Sequence, residues 1–169
     1  QEGVEASAAT GGPMGARRLS GEAGVFTTKA ALQTAVDGLP GSESTHGSIS
    51  GWDVSRVGDM SQLFQSKATF NDDISAWDTS RVTNMGGTFE HAEAFNSELV
   101  WDTSAVTDME KTFRNAWAFN QPLAWDTSKV TSMSTTFSTA EAFNQLLDWD
   151  VASATTFNRM FQSTALAQD

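Results

Sequence analysis

Large apolar side chains recur along the chain at a nearly constant interval. The block Trp-Asp-(Thr/Val)-Ser-x-Val starts at Trp52, Trp77, Trp101 and Trp125, and a degenerate fifth copy starts at Trp149. In every copy but the last, a Met comes three residues after the Val, a Phe four residues later, and a Phe-Asn pair six residues after that. This period of 24 or 25 residues predicts one structural unit stacked on copies of itself, because a single unit cannot bury its own apolar face.

Within each copy the pattern changes from a strand period to a helical one. Residues 123–127 alternate between apolar and polar, which is typical of a short strand. Val130, Met133 and Phe137 are then spaced like one face of a helix. The residue before each Met is of a type that caps helix starts: Asp59, Asn84, Asp108 and Ser132. The sequence therefore predicts a β-solenoid, in which strands stack as a parallel sheet and short helical turns follow them.

Two segments precede the repeats, which we place at residues 49–169. Residues 1–24 are rich in Gly, Ala and Ser and predict a flexible arm. Residues 25–48 predict a helix and a loop, with Thr27 or Thr28 as the helix cap and Gly38 as a stop signal. The apolar stripe of this helix is Ala31, Leu32, Ala35, Val36 and Leu39. Because the end of a stack exposes apolar and hydrogen-bonding groups, we interpret this helix as an N-terminal cap.

The repeat segments also resemble a known family. WDTSRVTNMGGTF, WDTSAVTDMEKTF and WDTSKVTSMSTTF, each followed by AFN, are similar to the repeats of BspA-like surface proteins, a divergent leucine-rich-repeat type. The resemblance covers roughly residues 49–163. It implies a right-handed, leucine-rich-repeat-like solenoid, here of about four and a half turns, used for surface attachment and protein interaction. Similar repeats occur in algal proteins, which implies an organelle-bound relative as the alternative.

Composition narrows the classes of function. A net charge of −11 argues against nucleic-acid binding, which needs a basic face. No apolar run reaches the ~18–20 residues of a membrane span. The absence of Cys excludes disulfides, thiolate metal sites and a Cys nucleophile. With only His46 and His91 as imidazoles and no evident cluster of titratable groups, we predict that the protein is not an enzyme. The chain begins with Gln1, which we interpret as a processed form or a fragment.

The repeated aromatic and Met positions are predicted to form the core. An exposed Trp row could stack against sugars, which keeps carbohydrate binding as an alternative. Each Trp follows a Leu or Ile by two or three residues, on the apolar side of the predicted strand, which favours a buried row instead.

The repeated Asp positions allow two interpretations: Asp53, Asp78, Asp102, Asp126 and Asp150. Stacked carboxylates could bind calcium, which prefers oxygen ligands. The Asp-x-Ser pattern favours a bend in which each carboxylate accepts a hydrogen bond two residues on, and the glycine-rich motif of calcium-binding solenoids is absent. We therefore predict no cofactor. The Asn column is predicted to bond the turn backbone: Asn71, Asn96, Asn120 and Asn144.

Positions that differ between copies are the candidates for partner binding. The residue two before Phe-Asn is Ala68, Glu93, Trp117 or Glu141, and Trp is enriched at interface hot spots. The alternative for Trp117 is packing against the Phe119 loop. A second variable position is the residue before the Val, and it forms a mildly basic stripe: Arg56, Arg81, Ala105 and Lys129.

The sequence favours a non-catalytic module that binds another protein, outside the cell or at its surface. The alternative is a peripheral subunit that stabilises a larger complex, in an organelle lumen or stroma. The last copy lacks the Val, the Met and the Phe-Asn pair, so it is either a degenerate cap or an end that abuts another chain.

Overall fold

The computed structural model describes residues 24–166; the predicted arm lies outside this range except for Gly24. Helix α1 spans Lys29–Asp37 and helix α2 spans Glu43–His46, followed by a short 3-10 helix at Ile49–Gly51. These three are the helices of residues 24–166. Residues 52–166 consist of turns, isolated bridge residues and segments without regular secondary structure.

Helix α1 forms where its stop and start signals predict it. The Thr28 hydroxyl oxygen accepts the Ala31 amide at 3.3 Å, and Gly38 is the C-cap. The side chains of Leu32, Ala35 and Val36 are buried against the repeats. The helix is therefore confirmed in position, but its predicted apolar stripe only in part, because Leu39 is partly buried and Ala31 is exposed.

The prediction of a β-solenoid with parallel strands and helical turns is wrong, including its right-handed, leucine-rich-repeat-like form. Residues 24–166 contain no strand and no sheet. The β-type pairs between successive repeats are isolated parallel bridges, which join Asp59 to Asn84, Asn84 to Asp108, Asp108 to Ser132 and Ser132 to Thr156. The repeats still stack, but they do so without strands.

One reason lies in the backbone after each Met. Two residues per repeat adopt a positive φ, for example Lys111 at 60° and Asn115 at 58°. Left-handed residues at every fourth position interrupt both an extended strand and a right-handed helix. Four amides of each repeat donate to four carbonyls of the next, as Met109, Lys111, Phe113 and Asn115 do to repeat four.

A second reason lies in the segment around each Trp, where strands were predicted. Here neighbouring repeats are joined by side chains. The Trp101 indole N–H donates to the Ile74 carbonyl at 3.0 Å, and the Thr103 hydroxyl donates to the Asp126 carbonyl at 3.0 Å. Because side-chain donors replace the backbone amides, no backbone ladder forms in this segment.

The core is a set of stacked rings, as the repeat pattern predicts. Phe64, Phe89, Phe113 and Phe137 stack on one another with centroids 5.3–5.4 Å apart. The Trp side chains of the first four repeats and their Met side chains are buried. The Asn ladder is also confirmed, since the side-chain oxygens of Asn71, Asn96 and Asn120 each accept the amide of the Asn in the next repeat at 2.8–2.9 Å.

Candidate functional site

The backbone aligns Trp117 with two glutamates on neighbouring repeats. The Ala118 amide donates to the Glu93 carbonyl at 3.0 Å, and the Ala142 amide donates to the Trp117 carbonyl at 3.0 Å. Glu93, Trp117 and Glu141 therefore occupy one column on three successive repeats. We call this column the Trp117 surface.

Trp117 is the exposed exception among the tryptophans. Its side chain is 45% exposed, whereas the Trp side chains that begin the first four repeats are buried. Within residues 24–166, the Trp117 ring stacks on no other ring; Phe119 instead packs against Phe113, with centroids 4.0 Å apart. The sequence alternative of packing against the Phe119 loop thus has no ring contact to support it. The buried Trp row offers no open face to a sugar.

The two glutamates give the Trp117 surface its charge. Neither Glu93 nor Glu141 forms an ion pair or a side-chain hydrogen bond with another of the described residues. An exposed indole between two uncompensated carboxylates suits a partner group that combines an apolar surface with positive charge.

The basic stripe lies elsewhere, beside the Asp column. Arg56, Arg81 and Lys129 are exposed. Lys129 Nζ donates to the Ser104 carbonyl at 2.8 Å, and its charge acts on Asp102 and Asp126. Among residues 24–166, no hydrogen bond or ion pair joins this stripe to the Trp117 surface. The stripe is therefore interleaved with acidic side chains.

The Asp column closes the predicted bends. The Ser55 amide and hydroxyl donate to the Asp53 carboxylate at 3.0 and 2.7 Å, and Ser80 donates to Asp78 in the same way. The pKa of Asp78 lies below its ordinary value of 3.8, mainly because the carboxylate accepts a hydrogen bond from the Ser80 hydroxyl and, second, one from the Ser80 amide. Repulsion from Asp53 and Asp102 only partly opposes this lowering. The bend interpretation of the column is confirmed. No group of three or more His or acidic side chains in the described part of the chain is arranged to hold a metal ion.

We expect acid to weaken the fold through these bends. The pKa values of Asp53, Asp78, Asp102 and Asp126 are lowered in the folded protein. Their stabilisation is therefore complete above the unfolded value near 3.8 and is lost as the pH falls through the folded values. The free energy of unfolding is measured by urea titration at pH 6 and at pH 3. The difference between the two values should be smaller for Asp102→Ala than for the parent chain. Glu98→Ala, which removes an exposed carboxylate that closes no bend, is the matched control and should leave the pH effect unchanged.

One surface feature that was not predicted from the sequence is a notch in the face of the repeats. Gly86 and Gly87 stand where the other repeats carry larger side chains, and the notch beside them measures about 380 Å³. Glu90 is buried in its wall, where it accepts hydrogen bonds from Arg114 at 3.0 Å and from Gln65 at 2.6 Å. The Gly-Gly pair was the available signal, because it is the one place where two adjacent side chains are missing from the pattern.

Each of the two histidines contacts a neighbouring side chain. His46 packs against Phe26, with ring centroids 5.3 Å apart, and contributes to the N-terminal cap. His91 lies 3.2 Å from the Asn115 side-chain nitrogen. Within residues 24–166, no helix has the length and apolar character needed to cross a bilayer.

The comparisons with known proteins give one match. The family described as “Mycoplasma protein of unknown function, DUF285” matches residues 31–124 and again residues 99–169. The two matches together span most of the chain and contain all the repeats. No curated protein and no solved structure shows significant similarity to the chain.

Proposed function

The chain belongs to the DUF285 family of Mycoplasma proteins of unknown function, and from this premise we propose that it is a non-catalytic module that binds another protein. We place it outside the cell or at the cell surface. The resemblance of the WDTS segments to BspA-like surface-protein repeats supports this location and supports repeats of that type.

The observation that carries the proposal is the exposure of Trp117. A stack that buries its other large aromatic side chains in the middle repeats leaves this one 45% exposed. Burying an indole on association is strongly favourable, and Trp is the residue most enriched at binding hot spots. The partner therefore presents an apolar pocket.

The flanking charges add a second requirement for the partner. Glu93 and Glu141 lie on either side of Trp117 without compensation by a described residue, and the whole chain carries a net charge of −11. Opposite charges around the partner's pocket would speed association and fix the orientation of the complex. The expected partner thus has Lys or Arg side chains bordering its apolar pocket.

Replacing Trp117 with Glu should abolish partner binding and leave the fold intact. We expect at least about a tenfold loss of affinity, because hot-spot truncations cost on the order of 2 kcal/mol or more. The parent chain and the variant are immobilised, exposed to surface proteins from the source, and compared by quantitative mass spectrometry. Proteins retained only by the parent chain are then measured by surface plasmon resonance.

Val100→Glu is the matched control, since Val100 is another large exposed apolar residue outside the Trp117 surface. It should leave binding within about twofold. Glu93→Gln combined with Glu141→Gln should lower the association rate and flatten its dependence on salt. Equal retention of the same proteins by the parent chain and Trp117→Glu would refute the proposal.

A second candidate function is a permanent subunit of a larger assembly. The observation that favours it is the C-terminal end of the stack, where Leu146 is 98% exposed and Val151, Phe157 and Phe161 are each about 40–47% exposed. Co-migration of the chain with a complex much larger than 18.1 kDa on size-exclusion chromatography of source extract supports this candidate; migration as a lone 18.1 kDa species contradicts it.

A further inference from the structure

In the segment that follows each Met, the backbone hydrogen bonds between repeats all run from the earlier repeat to the later one. At each boundary from the first repeat to the fifth, four amides of the earlier repeat donate to four carbonyls of the later one, at 2.6–3.1 Å. Between the third and fourth repeats, for example, Phe113 donates to Thr136 and Asn115 donates to Ser138. In this segment each repeat therefore has a donor edge facing the C-terminal end and an acceptor edge facing the N-terminal end.

Helix α1 lies across the N-terminal acceptor edge and donates to one of its four carbonyls. Gln33 Nε2 donates to the Leu63 carbonyl at 3.1 Å, and that carbonyl corresponds to the one that accepts an amide in each later repeat. Lys29 Nζ donates to the Ser61 hydroxyl and pairs with the Asp59 carboxylate. At this end a helix with donor side chains therefore packs on the acceptor edge and occupies the place of a preceding repeat.

The C-terminal donor edge has no equivalent cover within residues 24–166. In the fifth repeat the corresponding amides are those of Phe157, Arg159, Phe161 and Ser163. None of the four donates to a described acceptor. Arg159 and Ser163 have the same positive φ, 55° and 58°, as their counterparts in the preceding repeats, so the edge already has the conformation that pairs at every other boundary.

The apolar column continues to the same end. Phe161 stacks on Phe137 with centroids 5.6 Å apart, as the earlier Phe side chains stack on one another. Among residues 24–166 no ring stacks on its outer face, and Phe161 is 40% exposed where Phe137 is fully buried. The end therefore offers half of the interface that the chain forms at its four internal boundaries.

We propose that this end binds the acceptor edge of a further WD-type repeat, supplied by a partner protein. The proposal rests on the second candidate function, a subunit of a larger assembly, and names the chemistry of the neighbouring subunit. The partner's first repeat presents four carbonyls from alternate residues and an apolar ring that stacks on Phe161.

Other occupants fit less well. A regular β-strand offers both amides and carbonyls along one edge, and its amides would face the four donors. A second copy of this chain has its acceptor edge covered by α1, and two C-terminal ends placed together would set donors against donors. The segment that fits is an uncapped repeat in the same direction as the stack.

The fourth repeat of this chain supplies the probe. A fluorescent synthetic peptide of residues 123–148 carries the four carbonyls that pair with the third repeat. We expect saturable binding to the full 169-residue chain by fluorescence anisotropy, weakened at least about tenfold by Phe161→Glu in the chain or by Phe137→Glu in the peptide. The chain variant Trp117→Glu should bind the peptide like the parent, which separates this test from that of the Trp117 surface.

A tethered form removes the entropic cost of capturing a free peptide. The same segment is joined after Asp169 through a flexible Gly-Ser linker, which raises its effective concentration. Hydrogen exchange should then slow at the amides of Phe157, Arg159, Phe161 and Ser163, and should not slow when the tethered segment carries Phe137→Glu.

Three results would overturn the proposal. One is hydrogen exchange in the tethered form that is as fast at the amides of Phe157, Arg159, Phe161 and Ser163 as in the parent chain. Another is peptide binding that Phe161→Glu leaves unchanged. The third is dimerisation of the parent chain through this end in sedimentation equilibrium, reversed by Phe161→Glu. A large native complex found together with any of these results would leave the subunit function standing and reject the repeat as its neighbour.

Discussion

Phe113→Ala should lower the free energy of unfolding by about 3–5 kcal/mol, the range for truncating a fully buried Phe. Phe113 lies in the middle of the stack and is completely buried. Its ring contacts Phe89 and Phe137 in the neighbouring repeats and Phe119 in its own, at centroid distances of 5.4, 5.4 and 4.0 Å. The cavity left by alanine would interrupt the ring column on both sides, and urea unfolding followed by tryptophan fluorescence measures the loss.

Position in the stack provides the control for this prediction. Phe161 occupies the same column but is 40% exposed, so Phe161→Ala should cost distinctly less than Phe113→Ala. Trp117→Ala should change stability by about 0.5 kcal/mol or less, as an exposed substitution does. If Phe113→Ala and Phe161→Ala proved equally costly, the stacked core described above would be incorrect.

Leu32→Asp should release the N-terminal cap. Leu32 is fully buried where α1 packs on the first repeat, and an unpaired buried carboxylate costs several kcal/mol, on the order of 4 or more. Because repeats contact only their neighbours, the damage should remain near that end. Hydrogen exchange should become fast at the Gln62 and Phe64 amides, while the Phe113 and Asn115 amides remain protected.

Ala30→Asp is the matched control for the cap, since Ala30 is an exposed residue of the same helix. An acidic residue near a helix N-terminus is neutral or mildly stabilising. Uniform loss of protection along the chain in Leu32→Asp would instead show that the stack unfolds as a single cooperative unit.

The sequence predicted which side chains are buried better than it predicted the backbone that buries them. Apolar residues at a fixed interval identify the core whatever conformation links them, so the Trp, Met and Phe positions and α1 are correct. The strand assignment failed because left-handed positions are usually recognised by Gly or Asn. At the first of the two left-handed positions only the second repeat has Gly, Gly87, while the others have Gln62, Lys111, Thr135 and Arg159. Residues with such ordinary side chains give no signal for a positive φ.

The candidate site was likewise predicted only in part from the sequence. Trp117 could be selected because it breaks a column of polar and small residues, and its exposure agrees with that choice. For the notch, the Gly86-Gly87 pair indicated the missing side chains, but its wall could not be predicted, because it depends on Arg114 reaching across to Glu90 in the neighbouring repeat. A contact between side chains 24 residues apart becomes visible only when the stacking register is known.

In the segment that follows each Met, the amides pair in one direction, which gives this part of the stack an electrical axis. Peptide dipoles that point in the same direction add, as they do along an α-helix. Here the positive pole lies at the C-terminal end, where the amide hydrogens meet no acceptor within residues 24–166, and the negative pole lies beneath α1. Lys29 already stands at the negative pole, paired with Asp59 at 3.4 Å. Anionic groups are correspondingly favoured at the opposite pole, next to Arg159.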